Sequence, residues 1–262
     1  MRDLLSLAVE VAREAGALVE QRSAEAPVQV AATKSSPTDV VTASDMAAER
    51  LIRERIRAVR PEDAFLGEEH GDTRGRSRVR WIVDPIDGTV NYLYRLPVYA
   101  VSIAAEVDGD VVAGVVHNPA SGETWTALAG EGAWLDDLAI SVAQCRDPAQ
   151  ALVATGFAYD AETRDRQGRS VAALLPRVRD IRRMGAASLD LCAVACGRVD
   201  AYVERGLRPW DLAAGGLVAR EAGGRVAGLQ GAAAGERLVV ATNPGLWNGL
   251  HALLVDAGFG AV

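Results

Sequence analysis

The sequence predicts a mixed α/β chain, and three observations carry that prediction. Residues 1–59 read largely at a helical period, residues 100–128 read as β-rich runs divided by turns, and residues after 148 alternate strand-like with helix-like segments. With 262 residues, 49% of them hydrophobic and 24% charged, the chain can build one large domain or two closely packed ones.

In chain order, "MRDLLSLAVEVAREAGALVEQ" is apolar at Leu4, Leu5, Ala8, Val11, Ala12, Ala15, Leu18 and Val19, with Asp3, Glu10, Arg13 and Glu14 between them. That is an amphipathic helix and not a signal peptide, and no run is long enough to span a bilayer. "SDMAAERLIRERIRAV" is a second such helix, apolar at Ala48, Leu51, Ile52, Ile56 and Val59 and stopped by Pro61. In "WIVDPIDGTVNY" an apolar strand meets Pro85, which lacks an N–H and disfavours helix at Asp84, so the strand is expected to end at Asp84. Gly88 then permits a turn, and Thr89 stands where a short helix can begin. "AVSIAAEV", "DVVAGVVH" and "ETWTAL", separated by Asp108-Gly109-Asp110 and "NPASG", form an antiparallel meander. A polar break at Gln144 to Pro148 divides residues 1–143 from 144–262. Beyond it the strands "ALVATGF", "AYVE" and "RLVVAT" alternate with helices near "SLDLCAVACG", "DLAAGGLVAREAGG" and "PGLWNGLHALLVDAG".

Net charge is −7, with no basic stripe, which argues against a nucleic-acid partner. Cys145, Cys192 and Cys196 lack metal spacing; the last two share a helical face and read as buried free thiols. His70, His117 and His251 are too scattered for a His-built zinc site. A reduced, cytoplasmic protein is the expectation.

The chemistry concentrates in acids. Asp84 and Asp87 lie three residues apart with no Lys or Arg between them, and such a pair is either fully solvated or holds a cation. Their oxygens, with the Ile86 carbonyl between them, suit a hard ion such as Mg²⁺. Taken alone, Asp-Pro and Asp-Gly are also ordinary turn pairs. "AFLGEEHG" adds Glu68 and Glu69, which on a strand would point to opposite faces. Asp211 in "RPWDLAAGGLVAREAGG" and Asp45 in "DVVTASD" each sit at a helix start, where an Asp is most often a cap. The small residues Ala213 to Gly216 permit close packing behind Asp211. Lys34, in a Ser/Pro loop, reads as solvated surface.

In combination these segments resemble the inositol monophosphatase family of Mg²⁺-dependent, lithium-sensitive phosphatases. "WIVDPIDGTVNYLY" and "WDLAAGGLVAREAGG" match its two signatures, and "GEE" and "DVVTASD" match its other acidic segments, in the same order. The resemblance implies an α/β/α/β/α sandwich, usually dimeric, with two or three Mg²⁺ per subunit. It implies that Glu68, Asp84 and the Ile86 carbonyl hold a first ion, that Asp84, Asp87 and Asp211 hold a second, and that Glu69 supports the first. Gly88 and Thr89 would position phosphate and water, and Asp45 would pair with the Thr89 hydroxyl to orient the attacking water. Glu204 would accept hydrogen bonds from substrate hydroxyls, beside Gly185, Ala186 and Ala187; here the chain has Ala186 where many relatives carry Ser or Thr. Arg182 and Arg183 face either substrate, a dimer partner or solvent.

The implied reaction is hydrolysis of inositol 1-phosphate or a similar small polyol or sugar phosphate. A two-metal site suits it, because phosphate monoesters hydrolyse very slowly in water. Rival substrates on the same core are those of histidinol phosphatase, fructose-1,6-bisphosphatase and 3'-phosphoadenosine 5'-phosphate phosphatase. No P-loop is present. A two-metal nuclease would need a cationic track, and a metal-binding interaction protein would not need the Thr89–Asp45 pair.

Overall fold

The structure is a computed structural model; it describes residues 1–25, 30–34 and 39–260. Ser35 to Thr38, part of the loop that carries Lys34, lie outside the described residues.

Helices are α1 (Arg2–Glu25), α2 (Ala43–Val59), α3 (Thr89–Leu93), α4 (Ala161–Leu174), α5 (Ala187–Ala195), α6 (Pro209–Glu221) and α7 (Pro244–Asp256). Strands are β1 (Val30–Thr33), β2 (Val40–Thr42), β3 (Ala64–Gly67), β4 (Gly71–Thr73), β5 (Val79–Asp87), β6 (Ala100–Val107), β7 (Asp110–His117), β8 (Thr124–Leu128), β9 (Gly132–Leu135), β10 (Leu138–Ala139), β11 (Leu152–Thr155), β12 (Asp180–Arg182), β13 (Ala201–Glu204), β14 (Arg225–Ala227) and β15 (Val239–Thr242). β1 and β2 pair with each other. An eight-stranded sheet runs β10-β9-β8-β7-β6-β5-β3-β4, antiparallel except where β3 and β5 lie parallel. A five-stranded sheet runs β12-β11-β13-β15-β14, with β11 parallel to both of its neighbours.

The layers follow from strand alternation. In β5, Trp81 and Val83 face one core and Ile82 the other; in β6, Ile103 and Ala105 oppose Ala104; in β7, Val115 opposes Val116. The first of these cores is closed by the stripes of α1 (Leu4, Ala8, Val11, Ala12, Ala15) and α2 (Ile52, Ile56). The second is filled by α5 and α6, which pack against Tyr202, Val239 and Ala241 of the five-stranded sheet. Every residue of α5 is buried, which is why that segment is apolar on most sides and not striped. A third core lies on the outer face of the second sheet, where Val153, Val203 and Val240 meet Leu246, Trp247, Leu250 and Leu254 of α7 and Leu174 at the end of α4. The order is helix, sheet, helix, sheet, helix, as the resemblance implies.

One expectation changes, and one helix is added to those expected. β5 does not end at Asp84 but continues to Asp87 through a bulge. Asp84 pairs with Ser102 and Asp87 with Ala100, so one residue is extra, and the ladder bond that Pro85 cannot make falls within the bulge. α4 carries no apolar stripe, burying only Gln167 and Leu174, and periodicity cannot find it. It is held by an Asp160 cap on the Thr163 N–H at 2.8 Å and by the pairs Glu162–Arg166 and Asp165–Arg169.

Close packing of α6 explains its small residues. A Cβ on Gly114 of β7 would lie 3.1 Å from the Ala214 Cα, and one on Gly215 would lie 2.9 Å from the Ser188 carbonyl. That contact sets the start of α6, with Asp211, close over the first sheet. Of the thiols, Cys192 is buried while Cys196, at the C-cap of α5, is half-buried.

Candidate active site

The bulge in β5 builds the centre. The Ile86 side chain is buried among Val19, Ala48, Tyr92 and Tyr99, while its carbonyl accepts the Thr89 hydroxyl at 3.0 Å. The Ile86 N–H donates to Asp84 Oδ1 at 3.0 Å. Gly88 follows at φ 92°, and a Cβ there would lie 2.9 Å from the Val98 carbonyl, so only glycine fits the turn.

Asp211 joins this centre from 124 residues away in sequence. It is not the N-cap of α6 but its third residue, and its Oδ2 accepts the Arg208 N–H at 2.6 Å. Asp45 holds the equivalent place in α2: Oδ2 accepts the Thr42 N–H at 2.8 Å and the Thr42 hydroxyl, while Thr42 accepts amides of the first turn. Its Oδ1 accepts the Thr89 hydroxyl at 3.1 Å. Asp87 accepts from the start of α5, through the Ala187 N–H at 3.2 Å and the Ser188 N–H and hydroxyl at 2.6 and 2.5 Å. One carboxylate oxygen each from Asp84, Asp87 and Asp211 lies within 4.8 Å of the others.

Glu68 and Glu69 depart from expectation. They sit in the turn after β3, not on the strand, and both reach Lys34 Nζ at 2.6 Å. Lys34, though exposed, is therefore more than solvated surface: it is the counter-charge of both acids. The turn is held by Glu49, fully buried in α2, which accepts the Glu69 and His70 N–H groups at 2.7 and 3.2 Å. Glu49 is absent from the expected site, since on α2 it reads as one more polar position.

Burial and repulsion govern the electrostatics. Asp84 is held well above the usual carboxylate range by burial, then by the charges of Glu68, Asp87 and Asp211. Asp211 is raised by burial and by Asp87. Burial pushes Asp45 up to about 6 against the pull of the Thr42 hydrogen bonds, and Glu69 to about 7 despite Lys34. Acids so placed hold their charge poorly unless a cation joins them. Clustered hard oxygens, buried and mutually destabilised, fit a hard divalent metal ion.

Glu68, Asp84, Asp87 and Asp211 line a cavity of about 610 Å³. Glu204, Arg183, Tyr159, Gly185 and Ala187 line it as well. Glu204 accepts the Tyr202 hydroxyl at 2.6 Å and lies so close to Gly156 that a Cβ there would overlap it. Burial lifts Glu204 to about 7. Ala186 is not on the cavity wall: it is 1% exposed and packs under Gly88, so its missing hydroxyl removes no group from the cavity surface. Arg182 pairs with Asp180 at 2.5 Å, away from the cavity, whereas Arg183 lines it. Ser188 and Tyr202 escape sequence reading because apolar segments hide them.

Five alternating layers around a carboxylate-lined cavity define a hydrolase of the layered sugar-phosphatase type. The model of the inositol monophosphatase family matches residues 1–257, and the chain belongs to that family of metal-dependent phosphatases. It is 45% identical over 269 residues to the inositol-1-monophosphatase SuhB of Mycobacterium tuberculosis, covering 96% of this chain and 93% of that protein. It is 41% identical over 233 residues to the Nus factor SuhB of Escherichia coli K12, covering 88% of this chain and 87% of that protein. The crystal structure of the extragenic suppressor protein suhB from Bartonella henselae superposes with a TM-score of 0.91 at 36% identity, covering 96% and 98% of the two chains.

Proposed function

We propose that this protein is a Mg²⁺-dependent phosphomonoesterase that hydrolyses inositol 1-phosphate or a similar small polyol or sugar phosphate. The observation that carries the reading is the trio Asp84, Asp87 and Asp211, brought within 4.8 Å at the wall of a cavity that also holds Glu204.

Glu68, Asp84 and the Ile86 carbonyl would hold one ion and Asp84, Asp87 and Asp211 another, with Glu69 in support. Bound there, Mg²⁺ supplies Lewis-acid stabilisation of phosphate charge and a lowered pKa for water. The chain does the rest. Asp45 accepts a hydrogen bond from the Thr89 hydroxyl, which turns a lone pair of that hydroxyl towards the cavity, where it accepts a hydrogen bond from water. Asp45 is suited to that task because burial brings it near neutrality. Gly88 leaves the phosphate path clear, Ala187 forms the floor, and Glu204 accepts hydrogen bonds from substrate hydroxyls. Residues 1–143 carry most of the metal ligands and 144–262 carry Asp211 and the substrate wall, in one unit that dimerises in the cytoplasm.

The test is phosphate release, with Mg²⁺ and with chelator, from inositol 1-phosphate, fructose 1,6-bisphosphate, histidinol phosphate and 3'-phosphoadenosine 5'-phosphate. Fastest Mg²⁺-dependent release from inositol 1-phosphate supports the reading. A faster rival reassigns the substrate, and no release from any of the four removes the activity. A second reading, a transcription-factor partner role, is favoured by the Nus factor name of the Escherichia coli relative. Binding to transcription proteins that survives Asp84→Asn would separate it from hydrolysis.

A further inference from the structure

Asp87 serves the fold as well as the cavity. α5 starts behind Ala186, an extended N-cap residue whose methyl cannot accept a hydrogen bond. Helix starts leave N–H groups without partners, and a buried start must find acceptors elsewhere. α5 finds Asp87: the Ala187 N–H goes to Oδ1 at 3.2 Å and the Ser188 N–H to Oδ2 at 2.6 Å. The Ser188 hydroxyl adds a third donor, also to Oδ2, at 2.5 Å. Ser188 is 0% exposed, so bulk water cannot replace it.

A carboxylate offers about four lone-pair positions. Three donors on Asp87 leave one, on Oδ1, and both positions on Oδ2 are taken by a single residue. The neighbouring acids are pinned by local backbone instead: Asp84 by Ile86 N–H and Asp211 by Arg208 N–H. Those pins are set by the bulge and by the helix start. Asp87 is the acid of the trio whose pin comes from a residue 101 positions away and includes a side-chain donor.

We infer that Ser188 is a positioning residue for the metal site, saturating Asp87 Oδ2 so that Oδ1 alone is presented to the cation. This rests on the reading of Asp87 as a Mg²⁺ ligand. Without the hydroxyl, Oδ2 keeps one donor and regains a free acceptor position, so either oxygen can be offered to the cation. Side chains that orient a ligand in this way typically change metal affinity by 10- to 100-fold when removed.

The experiment is calorimetric titration of MgCl₂ into the metal-stripped full-length protein at 20 °C, with melting curves of the same samples. Ser188→Ala is expected to bind Mg²⁺ about tenfold more weakly than wild type. Affinity within twofold of wild type, or tighter, overturns the inference, even if the melting temperature falls, because a purely structural hydroxyl would lower only the latter. If wild type gives no binding heat, the metal reading fails and this inference with it, a result distinct from two equal affinities. Should Ser188→Ala not fold, Ser188→Cys, a weaker donor of similar size, is judged by the same direction: looser binding supports the assignment and equal binding overturns it.

Discussion

Replacing Thr89 by alanine removes one hydroxyl from the cavity wall, and the structure says what that hydroxyl does. It has one proton and two acceptors, Asp45 Oδ1 at 3.1 Å and the Ile86 carbonyl at 3.0 Å. It does not cap α3, because Gly88 holds the N-cap position and Thr89 is the first helical residue. The stability cost is therefore that of one hydrogen bond to a buried carboxylate, about 1.5–3 kcal/mol, while Asp45 keeps both Thr42 donors on its other oxygen. That cost corresponds to roughly 3–12 °C in melting temperature at this chain length. The catalytic cost is larger if Thr89 and Asp45 orient water together, since positioned proton-transfer groups contribute about 10²–10⁴-fold. Phosphate release at saturating Mg²⁺ and substrate reads kcat directly, and calorimetry reads Mg²⁺ affinity. The expected result is a kcat lowered by about 10²–10⁴, Mg²⁺ affinity within a few-fold of wild type, and much of the rate retained in Thr89→Ser. A Thr89→Ala protein that melts early yet turns over at the wild-type rate would refute the pairing.

Millimolar Mg²⁺ is expected to raise the melting temperature, by roughly 5–10 °C if it reaches about a hundredfold over its Kd. Asp84→Asn should abolish most of that rise, and equal rises in both proteins would remove Asp84 from the site. Glu204→Ala should lose roughly ten- to hundredfold more activity on inositol 1-phosphate than on a hydroxyl-poor aryl phosphate. Glu204 ionises near pH 7 and is a stronger acceptor when charged, so the preference of wild type for the polyol substrate should grow from pH 6 to 8 and stay flat in Glu204→Gln. Asp190, in α5, is buried with neither carboxylate oxygen paired among the described residues, and burial, then Glu204 and Asp87, hold it well above its ordinary value. The folded form thus binds its proton where the unfolded chain has lost it, and this contribution to stability falls as pH rises above about 4. Asp190→Asn should be more stable than wild type at pH 8 by about 1–3 kcal/mol, with the gap closing at pH 4 in denaturant titrations. A constant gap would assign the effect to packing.

Much of the architecture is visible in local pattern. The stripes of α1 and α2, the turn-divided runs of β6 to β8 and the apolar segment that becomes α5 each show in a few residues, because period and turn chemistry are set within one or two turns of chain. α4 is missed by the sequence reading, since it lies against the fold with little apolar surface and offers no periodicity to find. The β5 strand end is misread because a proline stops a regular ladder but not a bulged one.

The acids are legible along the chain: their identities, their order and the turn that Gly88 permits after Asp-Pro-Ile-Asp. Who neutralises or pins each of them is settled by the stacking of the layers. Lys34 meets Glu68 and Glu69 across 34 and 35 residues, and Ser188 meets Asp87 across 101. No periodicity or spacing rule spans such distances. The partners are chosen by which helix starts the stacked layers bring to the bulge of β5, and by the cost of leaving a buried donor or carboxylate without one.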